Sequence, residues 1–186
     1  MIYVFLATGF EDIEALGFVD VCRRASLPLT TVSVTGEKVV MSAHNVGIVA
    51  DSLFEDMSFD VADLLYLPGG MPGAANLDQH AGLSELIKQH YASGKPLAAI
   101  CAAPMVYGNL GLLNGLKATC YPGFEEALTG AEVTGALTVV DGQFFLGKGP
   151  AAVLKLSYQI VEHFCGKDVA DGICQGMLYS ELGIRN

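Results

Sequence analysis

The sequence predicts an α/β fold in which a mainly parallel sheet is covered by helices on both faces. Short apolar segments alternate along the chain with longer segments whose apolar residues recur at helical spacing. Apolar residues make up 52% of the chain and charged residues only 16%, a composition typical of strands buried on both sides. The length of 186 residues matches one ordinary domain, so we expect a single domain over residues 1–186.

The first half of the chain contains two predicted strands, a helix and a hairpin. The first buried strand is IYVFLA, a short apolar run with β-branched and aromatic members. A helix follows in EDIEALGFVDVCRRAS, with acids in its first turn and Arg23 and Arg24 in its last, which complements the helix dipole. The segment LTTVSVTG is predicted to be the second strand, and VVMSAHNVGIVAD a hairpin that turns at His44 and Asn45.

The second half continues the alternation of strands and helices. Buried strands are predicted for ADLLYLPGG and PLAAIC, and helices for LSELIKQHYASG and APMVYGNLGLL. A hairpin is predicted in TVVDGQFFLG, because Asp141-Gly142 is a strong turn signal. The long helix PAAVLKLSYQIVEHFCG has Pro150 at a favourable first position. Parallel strands joined in this way place their carboxyl ends, and any ligand site, along one edge of the sheet.

Composition excludes several classes of partner and cofactor. A net charge of −10 argues against binding to nucleic acid or to an anionic membrane, and no apolar run reaches the roughly 18 residues of a membrane span. The N-terminal MIYVFLATGFED lacks a basic segment, so we expect no secretory signal. Five cysteines without a C-x-x-C pair favour a reducing, cytoplasmic compartment. With no phosphate-binding loop and no metal-ligand cluster in the sequence, we expect neither a cofactor nor a metal.

The most informative cysteine is Cys101, which lies in GKPLAAICAAPMVYG at the junction of a predicted strand and a predicted helix. In an open α/β sheet such a turn lies at the ligand-binding edge, and a nucleophile in a sharp turn projects clear of the sheet when its neighbours are small. Four alanines supply that space: Ala98, Ala99, Ala102 and Ala103. The amides at the start of the helix favour a thiolate, so this argument predicts an exposed thiol with a lowered pKa. The alternative is an inert, buried cysteine that fills space.

Two further segments have side chains or amides that suit such a nucleophile. The strand that ends in LPGG has glycines that let backbone amides approach a ligand, so Gly70 and Ala102 are candidate donors to an oxyanion. Glu14 lies near the end of the first strand, and Glu11 lies three residues earlier on the same helical face. The alternative for LPGG is a simple turn, and the alternative for Glu14 and for Glu11 is an acid on the surface.

Together, GFEDIEA, LPGG and AAICAAP resemble the ThiJ/PfpI superfamily, over essentially the whole chain and including GKGP before the last long helix. The resemblance implies a flavodoxin-like three-layer sandwich, related to class I glutamine amidotransferases, with a nucleophile elbow at Cys101. It implies that Cys101 is the reactive nucleophile. It also implies that Glu14 is a protonated acid that donates a hydrogen bond to the thiolate, and that the protein is a homodimer. A neutral acid beside an anion is physically reasonable, because burial raises the pKa of a carboxyl group.

The sequence departs from parts of that pattern. Peptidase members have a histidine directly after the cysteine, where this chain has Ala102, and the deglycase members have one where this chain has Tyr121. The arginines of the family's anion site correspond to His44 and Lys148, which makes these residues, with Tyr121, candidate substrate or anion contacts. We expect His90 and the Glu162-His163 pair to lie on solvated helix faces. A histidine supplied by another subunit stays open.

Three functions follow as hypotheses from this resemblance. The first is a cofactor-independent cysteine enzyme that acts on reactive carbonyls, of the glyoxalase or deglycase kind, and converts methylglyoxal to lactate. The second is a redox-sensing or chaperone-like stress protein without turnover, in which Cys101 is oxidised to a sulfinate. The third and least favoured is an intracellular cysteine peptidase or amidase, because the histidine of a Cys-His dyad is missing.

Overall fold

The structure, a computed structural model, describes residues 1–182. The strands are β1 (Ile2–Leu6), β2 (Leu29–Ser33), β3 (Val39–Met41), β4 (Gly47–Val49), β5 (Ser52–Leu53), β6 (Leu64–Leu67), β7 (Leu97–Ile100), β8 (Lys117–Ala118), β9 (Glu132–Val133), β10 (Thr138–Asp141) and β11 (Phe144–Gly147). The α-helices are α1 (Asp12–Arg24), α2 (Gly73–Gln79), α3 (Ala81–Ala92), α4 (Pro104–Asn109), α5 (Val153–Cys165) and α6 (Lys167–Gly176).

The central sheet confirms the predicted α/β class. Its seven strands lie in the order β10-β11-β7-β6-β1-β2-β5, and every neighbouring pair is parallel except β10 and β11. The antiparallel pair is the predicted hairpin at Asp141-Gly142, and Gly142 has a φ of 54° in the turn. The hairpin at His44-Asn45 is formed by β3 and β4, with Asn45 at a φ of 62°.

Helices cover both faces of the sheet because successive strand residues point to opposite sides. In β1, the side chains of Tyr3 and Phe5 belong to the apolar core under α2, α3 and α4, whereas those of Val4 and Leu6 belong to the core under α1 and α5. A third cluster joins α5 to α6. Phe5 is completely buried, and burial of such a side chain stabilises the fold by roughly 1.5–3 kcal/mol. The result is the predicted three-layer sandwich.

Some boundaries differ from the predictions. The helix after Cys101 was predicted to reach Leu113, but α4 ends at Asn109, and Gly111 follows with a φ of 72°. Pro150 opens a 3₁₀ turn over Pro150–Ala152, and the long helix begins only at Val153. Helix α2 and the two-residue strands β5, β8 and β9 lie in segments that are too short to show a periodic pattern.

The topology brings three segments with candidate site residues to one edge of the sheet. Strands β7, β6 and β1 are neighbours, and they lead at their carboxyl ends into Cys101, into the LPGG turn and into the loop before α1. The carboxyl edge of an open α/β sheet is where such proteins bind ligands. Within residues 1–182, no helix is long and apolar enough to cross a membrane.

Candidate active site

Cys101 occupies a strained turn directly after β7. Its φ of 64° lies in the left-handed region, which residues other than glycine seldom adopt. Three hydrogen bonds hold the turn: Cys101 N donates to Gly147 O at 2.9 Å, Tyr121 N donates to Cys101 O at 2.8 Å, and Ala103 N donates to Ile100 O at 3.0 Å. Strain of this kind persists only where the surroundings fix it, and it is concentrated at functional sites. The geometry is that of the nucleophile elbow predicted from the sequence.

Small residues surround the thiol, as the sequence argument required. The four neighbouring alanines are at most 1% exposed: Ala98, Ala99, Ala102 and Ala103. Gly69 is equally constrained, since a Cβ there would lie 2.6 Å from Cys101 Cβ and 2.7 Å from Glu14 Oε2. Any side chain at position 69 would therefore push the cysteine and the glutamate apart.

Glu14 lies in the first turn of α1 and is completely buried, which excludes the surface acid considered from the sequence. Its Oε2 accepts a hydrogen bond from Gly69 N at 2.8 Å, whereas its buried Oε1 has no hydrogen-bond partner among the described residues. Glu11 does not share this environment, because it is the N-cap of α1 and its Oε2 accepts from Glu14 N at 2.7 Å. Buried polar groups without a partner are rare and often functional.

Burial changes the proton affinity of the glutamate. It raises the pKa of Glu14 to about 7, against an opposing effect of the Cys101 thiol and of the Gly69 amide. A carboxyl with that pKa is partly protonated near neutral pH, as the family resemblance implies. It is therefore able both to donate a proton to a neighbour and to accept one from it.

The pKa of Cys101 corrects a prediction made from the sequence. Cys101 is only 8% exposed, and burial, followed by the negative charge of the Glu14 carboxylate, raises the thiol pKa to about 12. The amides of Gly70 and Ala102 act in the predicted direction and lower the pKa, but they are outweighed. The expectation of an exposed thiol with a lowered pKa was wrong for a cysteine that faces an ionised Glu14. Between pH values of about 7 and 12, the two side chains share one proton.

Gly70 and Ala102, the candidate donors to an oxyanion, both have their amides beside the sulfur. Each amide is close enough to the thiol to favour its ionised form. Gly70 has a φ of 86°, and a Cβ there would lie 2.5 Å from Glu11 N, so only glycine fits. Glu11 N also donates to Gly69 O at 2.9 Å, which fastens the LPGG turn to the start of α1. The two amides are thus rigidly placed before any substrate binds.

The three candidate contact residues lie in two different places. Tyr121 is 47% exposed and is tied to the nucleophile through its backbone bond to Cys101 O. Lys148 donates from Nζ to Gly135 O at 3.0 Å, and together with Tyr121 it lines a cavity. His44 instead bonds Asp12 through Nδ1 at 2.6 Å, which raises the pKa of the imidazole.

None of the four histidines, all within the described residues, forms a hydrogen bond with Cys101. His44 bonds Asp12, His80 accepts from Leu83 N at 3.0 Å, and His163 packs against aromatic rings on the surface. His90 on α3 was predicted to face solvent, but it is only 6% exposed. Its Nε2 bonds Pro96 O at 2.9 Å, in the loop between α3 and β7. Glu162 and His163 are exposed, as predicted.

One group of possible metal ligands was not recognised in the sequence. Ligand atoms of Glu11, Asp12 and His44 lie within 4.8 Å of one another. Two of the three residues already bond each other, and Glu11 caps α1. Sequence reasoning missed this group because its members lie on a helix and on a hairpin that only the fold brings together.

Sequence reasoning also missed Tyr66, which supports Glu14 from β6. Its hydroxyl donates to Glu14 O at 2.9 Å, and its ring stacks on Phe18 with centroids 3.8 Å apart. The available signal was a tyrosine inside an otherwise aliphatic buried strand, since a buried hydroxyl needs a hydrogen-bond partner.

Comparison with protein families agrees with this geometry. Residues 1–163 match the DJ-1/PfpI family. The chain belongs to this family. This result confirms the resemblance seen in the sequence, and it gives the elbow at Cys101 and the flavodoxin-like sheet a common origin with those of known proteins.

Some curated relatives have about the length of this chain, and others are much longer. Protein DJ-1 homolog B of Arabidopsis thaliana is 38% identical over 89% of this chain, but the chain spans only 38% of that protein's length. Parkinson disease protein 7 homolog of Danio rerio is 32% identical over 90% of both chains. A deglycase of Pyrococcus abyssi is 29% identical, over 80% of this chain and 90% of its own.

Solved structures show the same fold. A variant of a DJ-1 superfamily protein from Salmonella typhimurium superposes with a TM-score of 0.91 at 29% identity, covering 95% of this chain and 97% of its own. Oxidised DJ-1 of Toxoplasma gondii superposes with a TM-score of 0.89 at 31% identity, covering 95% and 97% respectively.

Proposed function

We propose that this protein is a cofactor-independent cysteine enzyme that acts on reactive carbonyls and converts methylglyoxal to lactate. The proposal is carried by one observation: the Cys101 thiol lies in a strained elbow against a buried carboxyl with a pKa near 7 and two fixed backbone amides. The Pyrococcus relative, named as a deglycase, supports the same class of chemistry. A glycated amine would be a substrate of the same site, released as the free amine.

The reaction begins from the pair after it has lost one of its two protons. The sulfur of Cys101 attacks the aldehyde carbon, an S–C bond forms, and the carbonyl oxygen becomes a hydroxyl by taking the proton that Glu14 holds. The amides of Gly70 and Ala102 stabilise the negative charge that develops on that oxygen.

The remaining steps balance without an external oxidant. Glu14 removes the hydrogen on the former aldehyde carbon as a proton, and the neighbouring carbonyl oxygen takes up a proton, which gives an enediol attached to the sulfur. Glu14 then returns its proton to the neighbouring carbon while the hydroxyl on the first carbon loses a proton and becomes the thioester carbonyl, so the first carbon is oxidised and the second reduced. This gives a thioester of lactate on Cys101. Water then breaks the S–C bond, which releases lactate and restores the thiol. The sum is methylglyoxal plus water giving lactate.

The test is methylglyoxal consumption in the absence of glutathione, with lactate measured as the product. We expect turnover well above that of a free thiol at equal concentration, and its loss in Cys101→Ala. Cys174→Ala is the matched control, because Cys174 is 7% exposed and lies on α6 outside the site. Lactate formation that persists in Cys101→Ala would contradict the proposal.

A second candidate function is redox sensing without turnover. The groups that surround the Cys101 sulfur would also hold a sulfinate, with a protonated Glu14 and the two amides as hydrogen-bond donors. Peroxide supplies both oxygen atoms in two successive steps. Under this hypothesis, intact-mass analysis after mild peroxide treatment shows a gain of two oxygens at Cys101 alone. Oxidation spread over all five cysteines would count against it.

Peptidase or amidase activity remains the least favoured hypothesis. A Cys-His dyad needs an imidazole within hydrogen-bond reach of the thiol, and the histidines of this chain have the other partners described above. A histidine from a second subunit would have to complete the site. Hydrolysis of small peptides that depends on Cys101 would revive this function.

We also propose that the protein forms a homodimer through α1 and the β3–β4 hairpin. Apolar side chains are exposed on both elements, among them Ile13 at 58% and Val49 at 70%. The two elements lie side by side, because His44 in the hairpin turn bonds Asp12 at the start of α1 at 2.6 Å. Apolar patches of this kind are typical of interfaces between proteins. Light scattering should give a dimer mass that Val49→Lys lowers and that Val61→Lys, at an exposed valine elsewhere, leaves unchanged.

The predicted cytoplasmic location stays a prediction.

A further inference from the structure

A cavity of about 220 Å³ lies between the two segments that hydrogen-bond the backbone of Cys101, and the reaction with methylglyoxal does not require it. Its walls are formed by Tyr121 and Pro122 on one side and by Lys148, Pro150 and Ala151 on the other, with Leu137 between them. This volume is far more than a methyl group fills.

Backbone hydrogen bonds fix both walls of the cavity to Cys101. Tyr121 N donates to Cys101 O at 2.8 Å, and Cys101 N donates to Gly147 O at 2.9 Å, next to Lys148. The Tyr121 ring packs over Gly149 and joins the two walls. The two bonds place both walls of the cavity next to the backbone of Cys101.

The chemistry of the lining selects for an apolar substituent. Four apolar side chains line the cavity, those of Pro122, Leu137, Pro150 and Ala151. Lys148 contributes only its aliphatic stem, because its ammonium group is turned away to Gly135 O at 3.0 Å. Tyr121 offers the edge or face of an aromatic ring, which favours a second aromatic ring over an aliphatic group of the same size.

We propose that this cavity binds the aryl group of aromatic 2-oxoaldehydes, so that phenylglyoxal is a better substrate than methylglyoxal. This inference rests on the proposed carbonyl chemistry of Cys101 and narrows its substrate class. The bonds made and broken are those given above: the sulfur adds to the aldehyde carbon, hydrogen moves from that carbon to its neighbour, and water releases mandelate. No oxidant or reductant is needed.

The experiment compares kcat/KM for the two aldehydes, each divided by its rate with a free thiol to remove intrinsic reactivity. We expect a ratio that favours phenylglyoxal by at least about tenfold, the usual scale of discrimination by an apolar pocket. Ala151→Leu should lower that ratio about tenfold, because the larger side chain fills the cavity from an exposed position. Ala136→Leu is the matched control, since Ala136 is also exposed but does not line the cavity.

A second readout separates the cavity from catalysis. Phenacyl chloride and chloroacetone alkylate cysteine by displacing chloride. Intact-mass analysis then measures the fraction of protein that carries one added group on Cys101, without any turnover. The normalised alkylation rate should favour the phenacyl reagent in the native chain and lose that preference in Ala151→Leu. Equal preference in both proteins would overturn the inference. If neither aldehyde is turned over but the alkylation preference holds, the proposed reaction fails and the cavity assignment stands.

Discussion

Cys22 and Cys101 are both buried, free cysteines in the apolar layer under α1 and α5, yet their surroundings differ in what they offer the sulfur. Cys22 lies in the regular part of α1, completely buried, and burial with a small contribution from Cys165 raises its pKa far above the ordinary value. Cys101 lies in a strained turn, and its raised pKa results partly from Glu14 and is opposed by two amides.

Burial alone keeps a cysteine protonated and unreactive, whereas burial beside a titratable partner gives the thiol a group that can take its proton. In the proposed reaction, the proton that keeps Cys101 neutral moves to Glu14 in the first turn of α1, and the site then holds a thiolate beside a neutral acid. No carboxyl acts on Cys22 in this way. We therefore attribute the proposed reactivity to the Cys101–Glu14 pair.

Replacement of the carboxyl should have the largest effect on catalysis. Glu14→Gln keeps the size of the side chain but removes its ability to exchange a proton, so kcat/KM for methylglyoxal should fall about 100-fold or more. In the native protein, activity should rise with pH through about 7, as the pair loses its first proton. That midpoint should disappear in Glu14→Gln. A variant that retained both the rate and the midpoint would show that Cys101 acts without its partner.

The same carboxyl should make stability depend on pH. Its pKa is about 7 in the folded protein and 4.5 in an unfolded chain, so between these values the folded state holds a proton that the unfolded state releases. The contribution is complete below pH 4.5 and is lost as pH rises to 7, which amounts to about 3 kcal/mol in the free energy of unfolding.

Urea unfolding at a series of pH values measures this loss, and Glu14→Gln is the control because its side chain does not titrate. We expect the variant to have a flatter stability profile between pH 4.5 and 7 than the native protein. Parallel profiles for the two proteins would mean that another group causes the change, and the assignment of the pKa to Glu14 would be wrong.

Replacement of the inert cysteine should affect stability and leave catalysis unchanged. Cys22→Ala leaves a small cavity in the core and should lower the free energy of unfolding by about 1 to 2 kcal/mol. Turnover of methylglyoxal should stay within about twofold of the native value. If Cys22→Ala lowered turnover more than this, the packing of α1 would have to be counted among the determinants of Glu14 position.

Much of this arrangement could be predicted from the sequence, and the exceptions share a cause. Segment order, the elbow at Cys101 and the amides of Gly70 and Ala102 follow from local patterns, because each is encoded by a few consecutive residues. The raised pKa of Cys101 and the burial of His90 depend on residues that are distant in sequence, and a helix N-terminus alone suggested the opposite sign for the cysteine. Tyr66 was missed for the same reason, since its partner Glu14 is 52 residues away.

Tyr66 provides the most sensitive test of the comparison, because it packs in the same core layer as both cysteines. Its hydroxyl anchors the backbone of Glu14. Tyr66→Phe keeps the ring stacked on Phe18 and removes only that hydrogen bond, so the free energy of unfolding should fall by about 1 kcal/mol.

A role in positioning Glu14 predicts more than this loss of stability. If Tyr66 holds the carboxyl at the sulfur, Tyr66→Phe should lower kcat about two- to fivefold with little change in KM, and it should shift the pH midpoint near 7. Tyr107→Phe is the matched control, since the Tyr107 hydroxyl donates to Ala98 O at the same 2.9 Å and does not contact Glu14. Equal stability losses with a shifted midpoint only in Tyr66→Phe would establish the positioning role. Identical pH profiles in both variants would reduce Tyr66 to a structural residue, and the burial of Glu14 by α1 and Gly69 would then account for its pKa.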